Sequence, residues 1–186
     1  MSYTPRRPPL LSSDTLALLW LSVLPLLAAL CLPWVLLRPN RLALGEYLAL
    51  PAGLRLLGLL LALALPLCGR WLPRALGALS SLILTAGFWW LGSETAAALR
   101  GQSEIARASA SSGAWLWLLG AGVAVYAARW AARPSPWQRA TCWLWLPALA
   151  WLLLGGHLSH WSVLREWEAQ RGRFAQELWQ HLRLVL

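Results

Sequence analysis

Residues 15–37 read TLALLWLSVLPLLAALCLPWVLL, a run that carries 11 leucines and no charge. At about −0.5 kcal/mol each near the centre of a bilayer, those leucines alone favour insertion by roughly 5 kcal/mol. An α-helix needs about 20 apolar residues to cross ~30 Å of hydrocarbon, so this run predicts a membrane span, kinked but not expelled by Pro25 and Pro33. Four further apolar runs follow at 52–68, 75–92, 113–130 and 141–158, and none contains an acidic residue. The expected fold is an all-α polytopic bundle of five transmembrane helices. Residues 1–14 form a segment ahead of the bundle, 15–158 the spans, and 159–186 a separate C-terminal helix.

The composition points to the same class. Of 186 residues, 59% are hydrophobic, 12% are charged and 15 are tryptophan, whereas soluble domains carry about twice that charge. Every basic residue is arginine, and the formal charge is +9. The arginines fall in the gaps between apolar runs rather than in one block, which suits lipid headgroups and excludes a nucleic-acid partner. Arg55 stands within the second run and is expected near an interface, where its long stem can snorkel. Trp34, Trp71, Trp89, Trp90, Trp115, Trp130 and Trp137 lie near predicted span boundaries and read as an aromatic belt.

Arginine placement also predicts orientation. Arg6, Arg7, Arg70, Arg74, Arg129, Arg133 and Arg139 collect on one side, opposed by Asp14 alone. Arg38, Arg41, Arg55, Arg100 and Arg107 lie on the other, beside Glu46, Glu94 and Glu104. The richer side is expected to be cytoplasmic, with the N-terminus inside and the C-terminal helix outside. The first run is read as an uncleaved anchor: Leu30 precedes Cys31 where a signal peptidase wants a small residue, and Pro8 and Pro9 spoil a twin-arginine match.

Gly77, Ser81 and Thr85 in the third run, and Gly120, Ala124 and Ala128 in the fourth, repeat at i, i+4 and form small-residue stripes on one helix face. The expectation is that the third and fourth helices pack through them. Cys31, Cys68 and Cys142 show no ligand spacing and read as small apolar side chains. His157 and His160 stand at i, i+3, but no Cys, Asp or Glu completes a metal set, so they read as a wet interfacial pair. Ser93, Glu94 and Ser103 have no histidine close by in sequence, and Ser93 reads as the N-cap of a short helix through Glu94 to Arg100. No catalytic, metal or cofactor residues are therefore expected, and an enzyme is not.

From 159 onward the pattern changes. Trp161, Leu164, Trp167, Phe174, Leu178, Leu182 and Val185 recur at spacings mostly of three and four, with Glu166, Gln170, Arg173, Glu177 and Gln180 between them. This predicts an amphipathic helix, with Gly172 as a possible kink, along the outer membrane surface or a partner. Residues 179–186 grow apolar again and read as the entrance to another span.

A set of residues scattered along the chain carries a family likeness. It comprises Pro39-Asn40-Arg41-Leu42 with Gly45-Glu46, Ile105-Ala106-Arg107 with Ser109, Ser112-Gly113 and Trp115, and Leu164, Glu166, Arg171, Phe174 and Gln180-His181-Leu182. In order and spacing these resemble the inner-membrane permease subunits of osmoprotectant, glycine betaine-type ABC importers that carry an extra multi-helix segment ahead of their transport core. The resemblance implies an ABC ATPase, a second permease and an extracytoplasmic substrate-binding protein as partners, with membrane lipid around the spans. It also implies a core beyond the C-terminal helix, holding the coupling loop with its Glu-Ala-Ala signature. Glu94-Thr95-Ala96-Ala97-Ala98 echoes that signature without the glycine and apolar-proline pattern that should follow. The rival reading is a self-standing membrane scaffold or regulator.

Overall fold

A computed structural model describes residues 11–40, 43–131 and 135–185. Arg6, Arg7, Arg41, Arg133 and most of the segment 1–14 lie outside the described residues, as does Leu186. The chain is mostly helical: α1 (Ser13–Cys31), α2 (Ala52–Trp71), α3 (Leu76–Leu99) behind a 3₁₀ turn at Pro73–Ala75, α4 (Ser112–Ala131), α5 (Pro136–Thr141), α6 (Trp145–Leu154) and α7 (Ser162–Val185). Among the described residues, three segments are long and apolar enough to cross a membrane, namely Ser13–Cys31, Ala52–Trp71 and Pro73–Leu99.

The all-α expectation needs correction, because three short strands form an antiparallel sheet in the order β2-β1-β3: β1 (Val35–Arg38), β2 (Glu46–Leu48) and β3 (Arg107–Ala110). The first apolar run does not stay helical to Leu37. Proline disfavours the helical region for the residue before it, and Leu32, ahead of Pro33, is extended at φ −102°, ψ 157°. Pro33 thus ends α1 instead of kinking it. Pro25 is accommodated inside α1, which starts on a Ser12 cap whose hydroxyl accepts from Thr15 N–H at 3.3 Å. The backbone freed after Cys31 finds its partners in the sheet, where Val35 pairs with both Leu48 and Ala110.

β1 follows α1, β2 precedes α2, and β3 joins α3 to α4, so all four helices meet the sheet at one end and successive helices run antiparallel. α1 packs between α2 and α4, and α4 between α1 and α3, while α5 and α6 lie against α3. α4 matches α2 in length but is built largely of Ala, Gly and Trp, which are less apolar than Leu and better suited to close helix contacts. α2 exposes Leu56, Leu57, Leu60, Leu63 and Leu67, as a lipid-facing helix does.

The fifth apolar run is not one continuous helix. Between α5 and α6, Cys142, Trp143 and Leu144 donate to Arg139, Ala140 and Thr141 in tight i→i+3 turns. Pro147 has no N–H to offer the Trp143 carbonyl, which takes Leu146 N–H at 3.0 Å instead. α6 ends in a Schellman arrangement: His157 N–H reaches Leu152 O, Gly156 N–H reaches Leu153 O, and Gly156 adopts the left-handed φ of 71° that glycine tolerates. α3 runs past 92 to Leu99, so Ser93 is not an N-cap; its hydroxyl donates to Trp90 O within the helix. α7 is one helix through Gly172.

Gly77 and Gly120, which head the two small-residue stripes, do not face each other. A side chain added at Gly120 would lie 2.9 Å from Ser22 O and from Leu26 Cγ, so that stripe receives α1. Gly77 faces Thr141 and Cys142, and Ser81 Oγ donates to Thr141 O at 2.9 Å, so that stripe receives the end of α5. α3 and α4 meet at Gly87 instead, where the Trp117 indole lies against the bare Cα and Trp117 Nε1 donates to Ile83 O at 3.0 Å.

Candidate functional site

The sheet end is where the ends of α1 to α4, the three strands and the start of α7 meet. Trp34, immediately before β1, locks this end. Its backbone N–H donates to Leu48 O at 2.8 Å, its carbonyl accepts from Ser111 N–H at 2.8 Å, and its Nε1 reaches back to Ala29 O at 2.8 Å. Gly113 opens α4 against it, with Trp34 Cδ1 and the carbonyls of Ala29 and Leu32 all within 2.8 Å of where a Cβ would sit. Any side chain there would push α4 away from the end of α1.

Below this closure, Trp34, Trp90 and Trp117 form a buried aromatic cluster with ring centroids 5.0–5.8 Å apart. Position in the sequence places Trp34 and Trp90 in the interfacial belt, but they are 1% and 4% exposed and belong to the core. Trp71, Trp89, Trp115, Trp130 and Trp137 are exposed, as belt residues are. Near-boundary position alone does not separate the two uses, because an indole serves equally as a wedge between helices and as an interfacial anchor.

α7 leaves from the same end and is held there by its first turn. The Arg165 guanidinium donates from Nη1 to Ala106 O and from Nη2 to Glu104 O, both at 3.1 Å, and so grips the loop before β3 with two bonds. Trp161 bridges to Ala108 in parallel register, and its ring lies 6.3 Å from that of Trp115. Beyond the first turn, Arg107, Ser162, Val163, Glu166, Trp167, Gln170 and Phe174 line an open groove of about 620 Å³ between β3 and α7. Arg165 gave no signal in the sequence, since its acceptors are backbone carbonyls about sixty positions away. Arg55 sits in the first turn of α2 at this end, and its Nε donates to Leu50 O at 2.7 Å.

The residues weighed for chemistry do not come together. The rings of Trp89 and Trp151 are parallel, 6.0 Å apart, and the His157 ring lies 4.8–4.9 Å from each. His157 and His160 share a small pocket with Trp89, Gly92, Ser93 and Ala96. Among the described residues no three His, Cys, Asp or Glu side chains gather as a metal set. Cys31, Cys68 and Cys142 are unpaired thiols on α1, α2 and the turn after α5, and Ser103 lies in the exposed loop after α3.

No curated protein and no solved structure matches the chain. Residues 14–164 do match a family model, described as the N-terminal domain of the ABC transporter permease YehY. The matched stretch starts in the first turn of α1, takes in the whole bundle with its sheet, and stops in the first turn of α7, just short of Arg165. With most of its length inside that match, this chain belongs to the family of ABC transporter permease YehY N-terminal domains.

Proposed function

We propose that this chain is the N-terminal part of the permease subunit of an ABC importer for osmoprotectants such as glycine betaine. The observation that carries the proposal is the family match across 14–164. The solute class rests on the scattered likeness in the loops and in α7. In this reading the bundle crosses the inner membrane five times. α4 is the fourth pass, and the apolar segment 141–158, which holds α6, is the fifth. The arginine-rich end faces the cytoplasm, and the sheet and the start of α7 face the periplasm. Helix α7, clamped by Arg165, directs the chain toward the transport core.

The bundle itself performs no chemistry. The acidic residues of its first three spans stand near span ends, Asp14 in the first turn of α1 and Glu94 in the last turns of α3, and its aromatic core is closed by contacts among its own rings. ATP hydrolysis belongs to a separate ATPase, solute delivery to an extracytoplasmic binding protein, and the translocation path to core helices of this subunit and of a second permease. Coupling requires an element with two arrangements that the ATPase can bias, and a bundle closed on itself offers none.

Vesicles test this directly. The 186 residues alone should support neither ATP-driven uptake of labelled glycine betaine nor retention of the ATPase, whereas the same residues fused ahead of a permease core should be part of a transporting subunit. Uptake by the chain alone would defeat the proposal. A fused subunit that assembles but moves no betaine would remove the solute assignment and favour the scaffold reading.

A further inference from the structure

The arginine-rich end of the bundle holds a feature that the transport reading does not use. The last turn of α4 and the short α5 lie against each other, and Tyr126, Arg129, Trp130 and Arg139 line a cavity of about 270 Å³ between them. Arg129 is held in place by the Trp143 ring, with its guanidinium carbon 4.4 Å from the ring centroid. Tyr126 and Trp130, one turn apart on α4, put their rings 6.4 Å from each other along the same wall. No carboxylate lines the cavity. Two guanidinium groups facing one small space repel each other unless an anion lies between them, and their planar forks fit the oxygens of a phosphate.

What continues from the cavity indicates the rest of the ligand. Toward the sheet end, Trp115, Leu119 and Tyr126 form an exposed apolar row along α4 that leads to Arg129 and Trp130. A free phosphate would use the arginines and leave this row bare. A phospholipid would use both, with its headgroup between the arginines, its glycerol region beside the Tyr126 and Trp130 rings, and an acyl chain along Leu119. Basic pockets of this kind at the ends of membrane helices suit anionic headgroups. We propose that Arg129 and Arg139, with Tyr126 and Trp130, form a binding site for the phosphate headgroup of an anionic phospholipid in the leaflet at the arginine-rich end.

The full chain, purified in mild detergent, would be titrated with phosphatidylglycerol and with phosphatidylcholine of the same acyl chains. Inorganic phosphate would be added as a competitor, and bound lipid counted by native mass spectrometry. Phosphatidylglycerol should bind at least tenfold more tightly. R139Q, a change at an exposed position on α5, should lower that preference about five-fold, and the R129Q/R139Q pair should abolish it. The R129K/R139K pair should keep only part of it, because the charge remains while the fork is lost. Each variant's melting curve is recorded beside it, and R139Q alone carries the test if the pair fails to fold. Equal binding of the two lipids, or an undiminished preference in R139Q, would overturn the site. Displacement of the lipid by millimolar inorganic phosphate would overturn its assignment to a lipid.

Discussion

Trp117→Ala should destabilise the bundle by about 3–5 kcal/mol, the range for deleting a buried aromatic side chain. Trp117 is fully buried, contacts Trp34 and Trp90 at 5.8 and 5.0 Å, lies against Gly87, and donates its indole N–H to Ile83 O. Lipid supplies no hydrophobic drive between helices, so their association depends on such contacts and on the hydrogen bonds that join them. Removing the indole opens a void that acyl chains cannot reach and leaves the Ile83 carbonyl without its side-chain donor. Trp117→Phe keeps most of the contact and loses the bond, so its cost should be nearer 1 kcal/mol. Thermal unfolding in detergent checks this, with Trp137→Ala as the comparison because Trp137 is 83% exposed. If the two alanine variants melt alike, the tryptophan cluster is not what joins α1, α3 and α4.

Gly120→Leu should be nearly as severe, for a different reason. A Cβ at position 120 would stand 2.9 Å from the Ser22 carbonyl, 2.9 Å from Leu26 Cγ and 3.0 Å from Pro25 Cγ. One of these is backbone, so the strain cannot be relieved by a rotamer change, and α1 must move off α4. Overpacking of this kind costs about 1–3 kcal/mol, and four added carbons place Leu at or above the upper end. Gly122 is the control. It is two residues away on the exposed face of α4 with nothing within 4 Å, so Gly122→Leu should melt like the parent. Leu is the better helix former, so equal losses at 120 and 122 could not come from helix propensity and would mean that the α1–α4 contact does not set the effect.

The parts of the fold legible from sequence were those that lipid imposes on each segment separately. Long acid-free runs located α2 and α4 within three residues and the starts of α1 and α3 within two, but put the end of α1 six residues late and that of α3 seven residues early, and the three-and-four spacing located α7. What escaped depends on partners far along the chain. Trp34-Val35-Leu36-Leu37 has the same composition as the helix before it, and only Pro33 hinted that it turns into a strand. Arg107-Ala108-Ser109-Ala110 has little strand propensity and becomes β3 by pairing with β1. The i, i+4 stripes fixed a face on each helix but not the neighbour that fills it, so Gly120 was assigned to α3 although it packs on α1. Pro147 was visible in the fifth run, and its lost hydrogen bond is what separates α6 from α5. At the sheet end, Arg165 grips carbonyls that carry no sequence signal, whereas Gly113 and Trp115 belonged to the family likeness without any hint of what they touch.

In the proposed orientation the sheet and the start of α7 lie outside while the arginine-rich end lies inside. With Cys31, Cys68 and Cys142 replaced, single cysteines at Ser103, in the loop between α3 and β3, and at Ser135, the cap of α5, report the two ends. A membrane-impermeant thiol reagent added to intact cells should label Ser103→Cys and spare Ser135→Cys until the membrane is opened. Labelling of Ser135→Cys but not Ser103→Cys in intact cells would invert the bundle and point α7 into the cytoplasm, contradicting the account.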